Sequence, residues 1–307
     1  ITAYRWWDWN PANDGDSTSL PIVTLAQQAN RQRQFSQEFR LASDSDGPVD
    51  YVVGAYYFWQ IIRGYGKTAY GSAAGLWNLP TTPAAVTNAA LNGFEANSTS
   101  DPRTKSYALF GQLDWKITDR LTLTAGLRFT HEKKDGSFNQ FHVAGTDLST
   151  LPAAIADAAR TIRSQFNPII SFDAHLKDDS LGGLATLSWK FSDDALAYAT
   201  YSRGNKSGGL NLTNLPAGLR PEDVAAVAPE KVDSYEIGIK SQWLDQRLTL
   251  NVAGYWTEIK DYQTAITEQV QSTVNVRQYI ANIHGVRSRG IESDMYFAPS
   301  EWASFYA

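Results

Sequence analysis

Apolar and polar residues alternate with a period of two along most of this chain, and this alternation predicts β-strands with one apolar face. The clearest case is a pair of strands on either side of the short connection 118–120. Each strand keeps its two faces distinct throughout, so the pattern also fixes the register of the predicted hairpin. The apolar faces carry Tyr107, Leu109, Leu113, Trp115 and Ile117 before the connection and Leu121, Leu123, Ala125, Leu127 and Phe129 after it.

Strands with the same alternation flank four further short connections, 43–48, 192–194, 244–246 and 298–302. Together with residues 1–10, these segments predict about ten strands and the start of another strand before Ala307. The apolar face is clear in most of them. Segments 51–62 and 195–207 carry aromatic residues on both faces, which leaves their orientation open.

The short connections alternate strictly with long ones, which are 11–29, 66–104, 136–181, 208–231 and 263–278. Every short turn therefore lies at one end of the predicted sheet and every long loop at the other, as in outer-membrane barrels. A soluble sandwich of two sheets gives the same alternation of faces, but it does not require one-sided loops. We predict an all-β fold, an antiparallel transmembrane β-barrel whose loops 66–104 and 136–181 are extracellular.

Aromatic residues occur next to the short turns, where they are expected to form a belt at a lipid–water boundary. The residues of this predicted girdle are Tyr51, Trp115, Trp189, Phe191, Tyr198, Trp243 and Phe297. Aromatic residues at strand ends also serve as anchors in ordinary cores, so the belt is one of two interpretations.

Charged residues of both signs fall on the polar face, and the opposite face is nearly free of charge. The charged residues predicted to face the interior are Glu38, Arg40, Asp114, Lys116, Arg128, Glu132, Glu236, Lys240, Glu292 and Asp294. An arginine facing lipid near the bilayer centre would cost about 2–4 kcal/mol, which accounts for the asymmetry. We therefore predict that Leu123 faces lipid and that Thr124 faces the interior.

Composition and motifs narrow the possible functions. The 307 residues include 27 basic and 32 acidic side chains, a net charge of −5, which argues against a nucleic-acid partner. The absence of cysteine excludes disulfides and thiolate metal sites. The four histidines lack the spacing of metal ligands, and no catalytic or nucleotide-binding motif occurs. We predict no enzymatic activity, no cofactor and no metal site. The histidines are His131, His142, His175 and His284.

One segment has the period of a helix instead of a strand. It follows Thr150, which we predict to be the N-cap. The simplest interpretation is a short helix folded over a loop, and a helix that binds a partner or a membrane surface is the alternative. The apolar stripe consists of Leu151, Ile155, Ala158, Ile162 and Phe166.

Five segments resemble strands of the TonB-dependent outer-membrane receptors. They are YALFGQLDW at 107–115, LTLTAGLRFTHE at 121–132, YSRGNKSGG at 201–209, PEKVDSYEIG at 229–238 and VRSRGIES at 286–293. The resemblance covers essentially all of 1–307 and depends on the order of the segments. It implies a 22-stranded barrel filled by an amino-terminal plug domain, in the outer membrane of a Gram-negative bacterium. Because the chain contains no initiator methionine, we expect 1–307 to be the middle of that barrel, with the plug and the last strands outside it.

The resemblance also implies a function, the active uptake of a scarce nutrient. The cargo is most often a ferric siderophore, and the TonB complex supplies energy through the amino-terminal region. Two other classes stay open, a passive porin without a plug and an outer-membrane enzyme with a catalytic constellation at the loop rim. Loop aromatics are more often packing anchors than ligand contacts; the candidate contacts are Tyr70, Trp77, Phe94, Phe138, Phe141 and His142.

Overall fold

The computed structural model describes residues 1–44, 47–213, 215, 218–269, 276–300 and 302–307. Most of these residues form one antiparallel sheet, which confirms the prediction of about ten long strands and a short last one. The strands are β1 (Thr2–Trp9), β2 (Ala12–Asn13), β3 (Leu25–Ala42), β4 (Val49–Ala69), β5 (Glu95–Ser100), β6 (Arg103–Thr118), β7 (Leu121–Ala144), β8 (Ile170–Ser192), β9 (Ala195–Lys206), β10 (Gly209–Leu210), β11 (Ala226–Val227), β12 (Glu230–Trp243), β13 (Leu248–Gln269), β14 (Val276–Ser300) and β15 (Ala303–Tyr306).

The long strands pair with their neighbours in chain order. Strands β5 and β6 together occupy a single position in the sheet, because β4 and β7 each pair with both of them. The break between β5 and β6 falls at Pro102, which has no amide hydrogen for the ladder. The carbonyl of Pro102 still accepts from the amide of Ile62 at 2.9 Å, and the amide of Asp101 donates to the carbonyl of Ser137 at 3.1 Å. The wall is therefore continuous across the break.

The register confirms the two predicted faces. Leu123 lies opposite Trp115 on β6 and Leu187 on β8, whereas Thr124 lies opposite Asp114. We call the face that carries Leu123 the outward face and its charge-free, largely apolar part the apolar band. The band is 9 to 11 residues long on the five strands β6, β7, β8, β12 and β13, the length that crosses a bilayer. It comprises 107–117, 121–129, 181–191, 235–243 and 248–256.

The register also assigns the two strands whose orientation the sequence left open. On β4, Tyr51 lies opposite Leu113 and therefore shares the outward face, so its even-numbered neighbours face the interior. On β9, Tyr201 lies opposite Tyr235 and faces outward. The charged residues predicted for the interior all lie on the face opposite the band.

Tyr198 was assigned wrongly to the aromatic girdle. Its hydroxyl donates to Glu236 Oε1 at 2.6 Å, and Lys240 Nζ lies 5.5 Å from its ring centroid. Both partners face the interior, so Tyr198 does too. The other six girdle residues share the outward face, and their position at a lipid–water boundary stays a prediction. They are Tyr51, Trp115, Trp189, Phe191, Trp243 and Phe297.

The predicted long loops were too long, because the strands continue into them. Strand β7 extends to Ala144 and β8 begins at Ile170, so most of the predicted loop 136–181 is strand. The same holds for 66–104, where β4 extends to Ala69 and β5 and β6 begin at Glu95 and Arg103. Strand β3 likewise begins inside 11–29 and β12 inside 208–231, and β13 and β14 shorten 263–278 from both ends. Residues 45–46, 214, 216–217, 270–275 and 301, which belong to predicted connections, lie outside the described residues.

Among the described residues, four α-helices lie in the connections at the long-loop end of the sheet. They are α1 (Ala74–Asn78), α2 (Ala84–Leu91), α3 (Ala153–Phe166) and α4 (Pro221–Val224). The predicted amphipathic helix is confirmed as α3, but Thr150 is not its N-cap. Thr150 ends a 3-10 turn that Asp147 caps, and Pro152 directly precedes α3. None of the helices in the described part of the chain combines the length and the apolar character needed to cross a membrane.

Candidate functional site

A polar cleft of about 510 Å³ opens on the interior face at the long-loop end of the sheet. Its floor consists of residues on adjacent strands that lie opposite one another in register, Gln28 on β3, Gly66 on β4, Ser98 on β5 and Gln140 on β7. Gly66 leaves the floor open, because a Cβ atom there would approach the Ser98 hydroxyl to 2.4 Å. The volume lies within the range of small-molecule sites.

One cation borders the cleft, Arg277 at the start of β14, which donates to the carbonyl of Leu215 at 2.8 Å. By register Lys67 shares the outward face of β4 with Tyr51 and pairs there with Glu95 at 2.8 Å, and hydrogen bonding to that carboxylate raises the pKa of Lys67. The cleft therefore offers amide, hydroxyl and cationic groups, which suit a polar or anionic ligand.

One wall of the cleft belongs to a helical cap, which we define as residues 70–94 and 145–169 with α1, α2 and α3. Phe94 is completely buried at the centre of the cap, and its ring stacks on Tyr70 at 5.8 Å between centroids. The hydroxyl of Tyr70 donates to Asn167 Oδ1 at 2.8 Å, and burial raises the pKa of this phenol. Small residues let the helices approach closely; the buried alanines are Ala74, Ala89, Ala90, Ala156 and Ala159.

Arg163 on α3 joins the two halves of the cap. Its guanidinium donates to the carbonyl oxygens of Ala89 and Ala90 at the end of α2 and to that of Thr146, at 2.9 to 3.0 Å. Burial lowers the pKa of Arg163. Gly145 has a φ of +138°, and a Cβ atom there would come within 2.8 Å of the guanidinium. A glycine is therefore needed where the chain passes this side chain.

The second wall is formed by the inner loop, which we define as the described part of 207–229. Its Leu212 and Leu215 pack against Phe138 and Ala174 on the interior faces of β7 and β8. Strand β9 ends at Lys206 and β12 begins at Glu230, well before their neighbours β8 and β13 reach their ends. The inner loop folds against the interior of the wall beside this gap.

Polar contacts fasten the inner loop at its base. Lys134 Nζ donates to Ser207 Oγ at 2.8 Å and to the carbonyl of Gly208 at 2.6 Å, and Ser207 Oγ also donates to Glu132. The buried Glu230 accepts from Lys206 Nζ at 2.9 Å and from the amide of Gln263 at 2.7 Å. Loop and wall thus share one network of charges.

Replacing Lys134 with methionine should release the inner loop without unfolding the sheet. The change keeps the apolar stem and removes a cation that makes two hydrogen bonds and a 3.1 Å ion pair with Glu132, which costs roughly 1–3 kcal/mol. Hydrogen exchange followed by mass spectrometry should show faster exchange in 207–229 and unchanged exchange in the cap. Lys177→Met, on the outward face of β8, is the control, and faster exchange in both variants would contradict the assignment.

The structure separates the six predicted ligand contacts. Tyr70, Phe94 and Phe138 are buried in the cap or beneath the inner loop, so they support the walls of the cleft. His142 Nε2 lies 2.7 Å from the carbonyl oxygen of Asn167, and its ring packs edge-on against Phe94. Trp77 and Phe141 are exposed. Contact of these residues with a ligand stays a prediction.

The polar residues on the floor of the cleft were missed in the sequence. Gln28, Ser98 and Gln140 fell inside segments predicted to be loops. For Gln28, the signal that could have identified it is the amide side chain at every second position of β3, which continues the interior face beyond the apolar band. Those residues are Gln28, Asn30, Gln32 and Gln34.

An antiparallel wall with an apolar outward band, a charged interior and one-sided loops defines an outer-membrane β-barrel. Comparison of the sequence with known protein families supports this class. Residues 2–307 match the family model described as "TonB dependent receptor-like, beta-barrel". The chain belongs to this family, whose members are receptors and transporters in the outer membrane of Gram-negative bacteria.

The chain covers only part of the length of each relative that it matches. The chain is 28% identical over 243 residues to the pesticin receptor of Yersinia enterocolitica, covering 79% of this chain and 28% of the relative. Among solved structures, the ferric yersiniabactin uptake receptor FyuA from Yersinia pestis has a TM-score of 0.67 at 20% identity, over 98% of this chain and 37% of that one. The copper transporter OprC has a TM-score of 0.63 at 14% identity, over 97% and 40%. At these identities the structures show the fold alone.

Proposed function

We propose that the protein is a receptor for the active uptake of a scarce nutrient, and that the nutrient is a ferric siderophore. The observation that carries this proposal is the cleft on the interior face at the long-loop end. A porin needs an open passage, whereas this cleft is closed in by the helical cap and the inner loop. The cleft offers amides, the Ser98 hydroxyl and Arg277 to a ligand, and oxygen-rich ferric complexes are often anionic. FyuA, described as a ferric yersiniabactin uptake receptor, supports the choice of cargo.

The energy for uptake has to come from outside this chain. We propose that a plug domain and the segment that binds the TonB complex precede it in the whole protein, and that further strands follow. A wide barrel without a plug would leave an aqueous hole. A passive porin would have no such plug, so the sequence upstream of this chain separates the two functions.

Growth under iron limitation tests the proposal. A deletion strain should grow normally with free iron but not when the only iron source is a ferric siderophore that the parent strain uses. Purified protein should bind that ferric siderophore and not the iron-free form. Normal growth of the deletion strain on every ferric siderophore that the parent uses would overturn the choice of cargo.

Filling the cleft should weaken binding of the ligand. Gln140 faces the cleft from β7, so Gln140→Trp puts a large side chain into the space the ligand would take, and we expect binding to weaken at least about tenfold. The control is Asn139→Trp, one residue earlier on the outward side of the same strand. The measurement is isothermal titration with the ferric siderophore, and equal affinities of the two variants would exclude the cleft as the binding site.

A further inference from the structure

The inner loop continues the hairpin of β9 and β12 in an unchanged register. The last pair of that hairpin is Lys206 with Glu230, and the first pair of the short ladder between β10 and β11 is Gly209 with Val227. Three residues forward on one strand thus correspond to three residues back on the other. The two ladders therefore belong to one long hairpin, of which β10 and β11 form the outer half.

This hairpin bends inward between its two ladders, at 207–208 and 228–229. Pro229 has no amide hydrogen to donate, so the ladder is interrupted there. Gly208 allows the bend to pack closely, because a Cβ atom at this position would clash with the carbonyl oxygen of Val227 and a methyl group of Leu176. The outer half consequently lies against the interior face of β7 and β8 instead of continuing the wall.

The bend leaves a gap in the wall beyond the apolar band. Strand β8 pairs with β9 only as far as Gly183, which lies opposite Arg203. Among the residues that the structure describes, 170–182 of β8 pair with β7 alone and 262–269 of β13 pair with β14 alone. Within the described chain, one side of each strand thus presents backbone groups without a ladder partner. Such an edge is a template for another strand.

The outer half of the hairpin has suitable side chains to fill this gap. If the register of β8 and β9 continued, a straight hairpin would place Leu210 opposite Leu176 and Leu212 opposite Ala174. Both leucines would still face the interior, and Leu212 already packs against Ala174 in the bent position. Small or polar residues would face outward, beyond the band, where the wall meets water. They are Gly209, Asn211 and Thr213.

Two asparagine side chains hold the hairpin in its bent position. Asn211 of the inner loop accepts from the amide of Ile280 on β14 at 3.0 Å and donates to the carbonyl oxygen of the same residue at 2.8 Å. Asn282 on β14 makes the reciprocal pair with Ala228, at 2.8 and 2.9 Å. Straightening exchanges such contacts for ladder bonds with β8, so hydrogen bonding is available to the hairpin in both positions.

We propose that the inner loop has two positions. In the bent position, which this structure shows, Thr213 and Leu215 belong to a wall of the cleft. In the straight position, 207–213 and 225–229 extend β9 and β12 into the gap between β8 and β13, and the cleft opens because it loses that wall. The inference goes beyond the uptake of a particular nutrient, since it depends on strand register and not on the cargo.

Disulfide formation in the whole folded protein tests the two positions. This chain contains no cysteine, so an introduced pair reports on its own geometry. Thr213→Cys and Asp173→Cys lie opposite each other in the straight position. In the bent position Thr213 lines the cleft, whereas Asp173 is exposed on the outward face. Because a disulfide needs Cα atoms within about 7 Å, mild oxidation should join the pair only when the hairpin straightens.

Releasing the bend should speed this reaction. Asn282→Ala removes both hydrogen bonds to Ala228, which raises the population of the straight position. We expect the disulfide between positions 173 and 213 to form at least about fivefold faster in this background. Electrophoretic mobility before and after heating identifies the folded protein in each sample.

The control joins Thr213→Cys with Lys177→Cys, four residues further along the same outward face of β8 and about 13 Å from Asp173. This pair should not form a disulfide. Equal rates for the two pairs would show that the inner loop has no defined second position. Absence of the disulfide between 173 and 213, even with Asn282→Ala, would show that the loop stays bent. Either result overturns the proposal.

Hydrogen exchange of the Asn282→Ala protein without added cysteines gives a second readout. Straightening provides β8 with new ladder partners, so 171–181 should exchange more slowly than in the unmodified protein. Simple loosening of the inner loop would leave exchange in 171–181 unchanged or make it faster, and that result would also overturn the proposal.

Discussion

Replacing Leu123 with arginine should strongly reduce assembly of the protein in the outer membrane. Leu123 lies within the apolar band between Trp115 and Leu187, and a lipid-facing arginine costs roughly 2–4 kcal/mol. That cost is a large fraction of the 5–15 kcal/mol, roughly, by which whole proteins are stable. The measurement is the amount of folded protein in the membrane fraction, detected by its changed electrophoretic mobility before and after heating.

Thr124→Arg is the matched control for this prediction. Thr124 is the next residue on the same strand, and its hydroxyl donates to the carboxylate of Asp114 on the interior face. An arginine there meets water and an acidic partner, so assembly should stay close to that of the unmodified protein. Equal losses from the two substitutions would show that the faces are assigned wrongly.

Replacing Phe94 with alanine should open the helical cap while the wall stays assembled. Phe94 is completely buried and contacts Tyr70, His142 and Arg163. Removing a fully buried phenylalanine costs roughly 3–5 kcal/mol, which raises the population of open cap on the order of 100-fold or more. Protease added to whole cells should then cleave within 70–94 and 145–169 much faster than in the unmodified protein.

Phe141→Ala separates this effect from the loss of any aromatic side chain near the loops. Phe141 is 37% exposed and lies on β7 opposite Asn97, outside the buried cluster of the cap. Cleavage of the cap should not change in this variant. A protease-resistant cap in the Phe94 variant, or equally fast cleavage in both, would contradict the role of Phe94. Cleavage seen only after the cells are broken would place the cap on the periplasmic side.

The sequence was sufficient to predict the two faces of β6 and β7, because the lipid side and the interior side differ sharply in polarity there. Hydrocarbon excludes charge from the side of Leu123, and the interior accepts Asp114 and Arg128. On β4 the contrast fails, since the interior also holds aromatic rings. Tyr56 faces inward, where the Arg128 guanidinium lies 5.6 Å from its ring. Aromaticity alone did not distinguish the two faces.

Tyr198 shows how the same ambiguity produces an error. A tyrosine three residues after the start of a strand fits a girdle by its place in the sequence. The hydroxyl of Tyr198 nevertheless satisfies the interior carboxylate of Glu236, and this long-range partner is not visible in the local pattern. The choice between the two positions depends on a strand 38 residues away.

The lengths of the loops were overestimated because a strand outside the bilayer loses its alternation. Beyond the apolar band both faces meet water, so Lys133, Asp135 and His175 continue the strands without an apolar side. The helix α3 was recognisable because its apolar stripe packs against residues 70–94 of the cap and keeps the helical period. The cleft needs pairing among four strands and could not be read from any one segment.

The break at Pro102 has a consequence for how the cap is held. Residues 70–94 leave the sheet at the end of β4 and rejoin it at the start of β5, the adjacent position of the wall, where Glu95 lies opposite Ala69. Strand β5 then continues into the position of β6 without a gap. Both ends of this excursion are tied into hydrogen-bonded ladders, one to β3 and one to β7. Strand pairing therefore holds residues 70–94 in place at both ends. A rearrangement of residues 70–94 would thus leave the strand pairing of the wall beneath them unchanged.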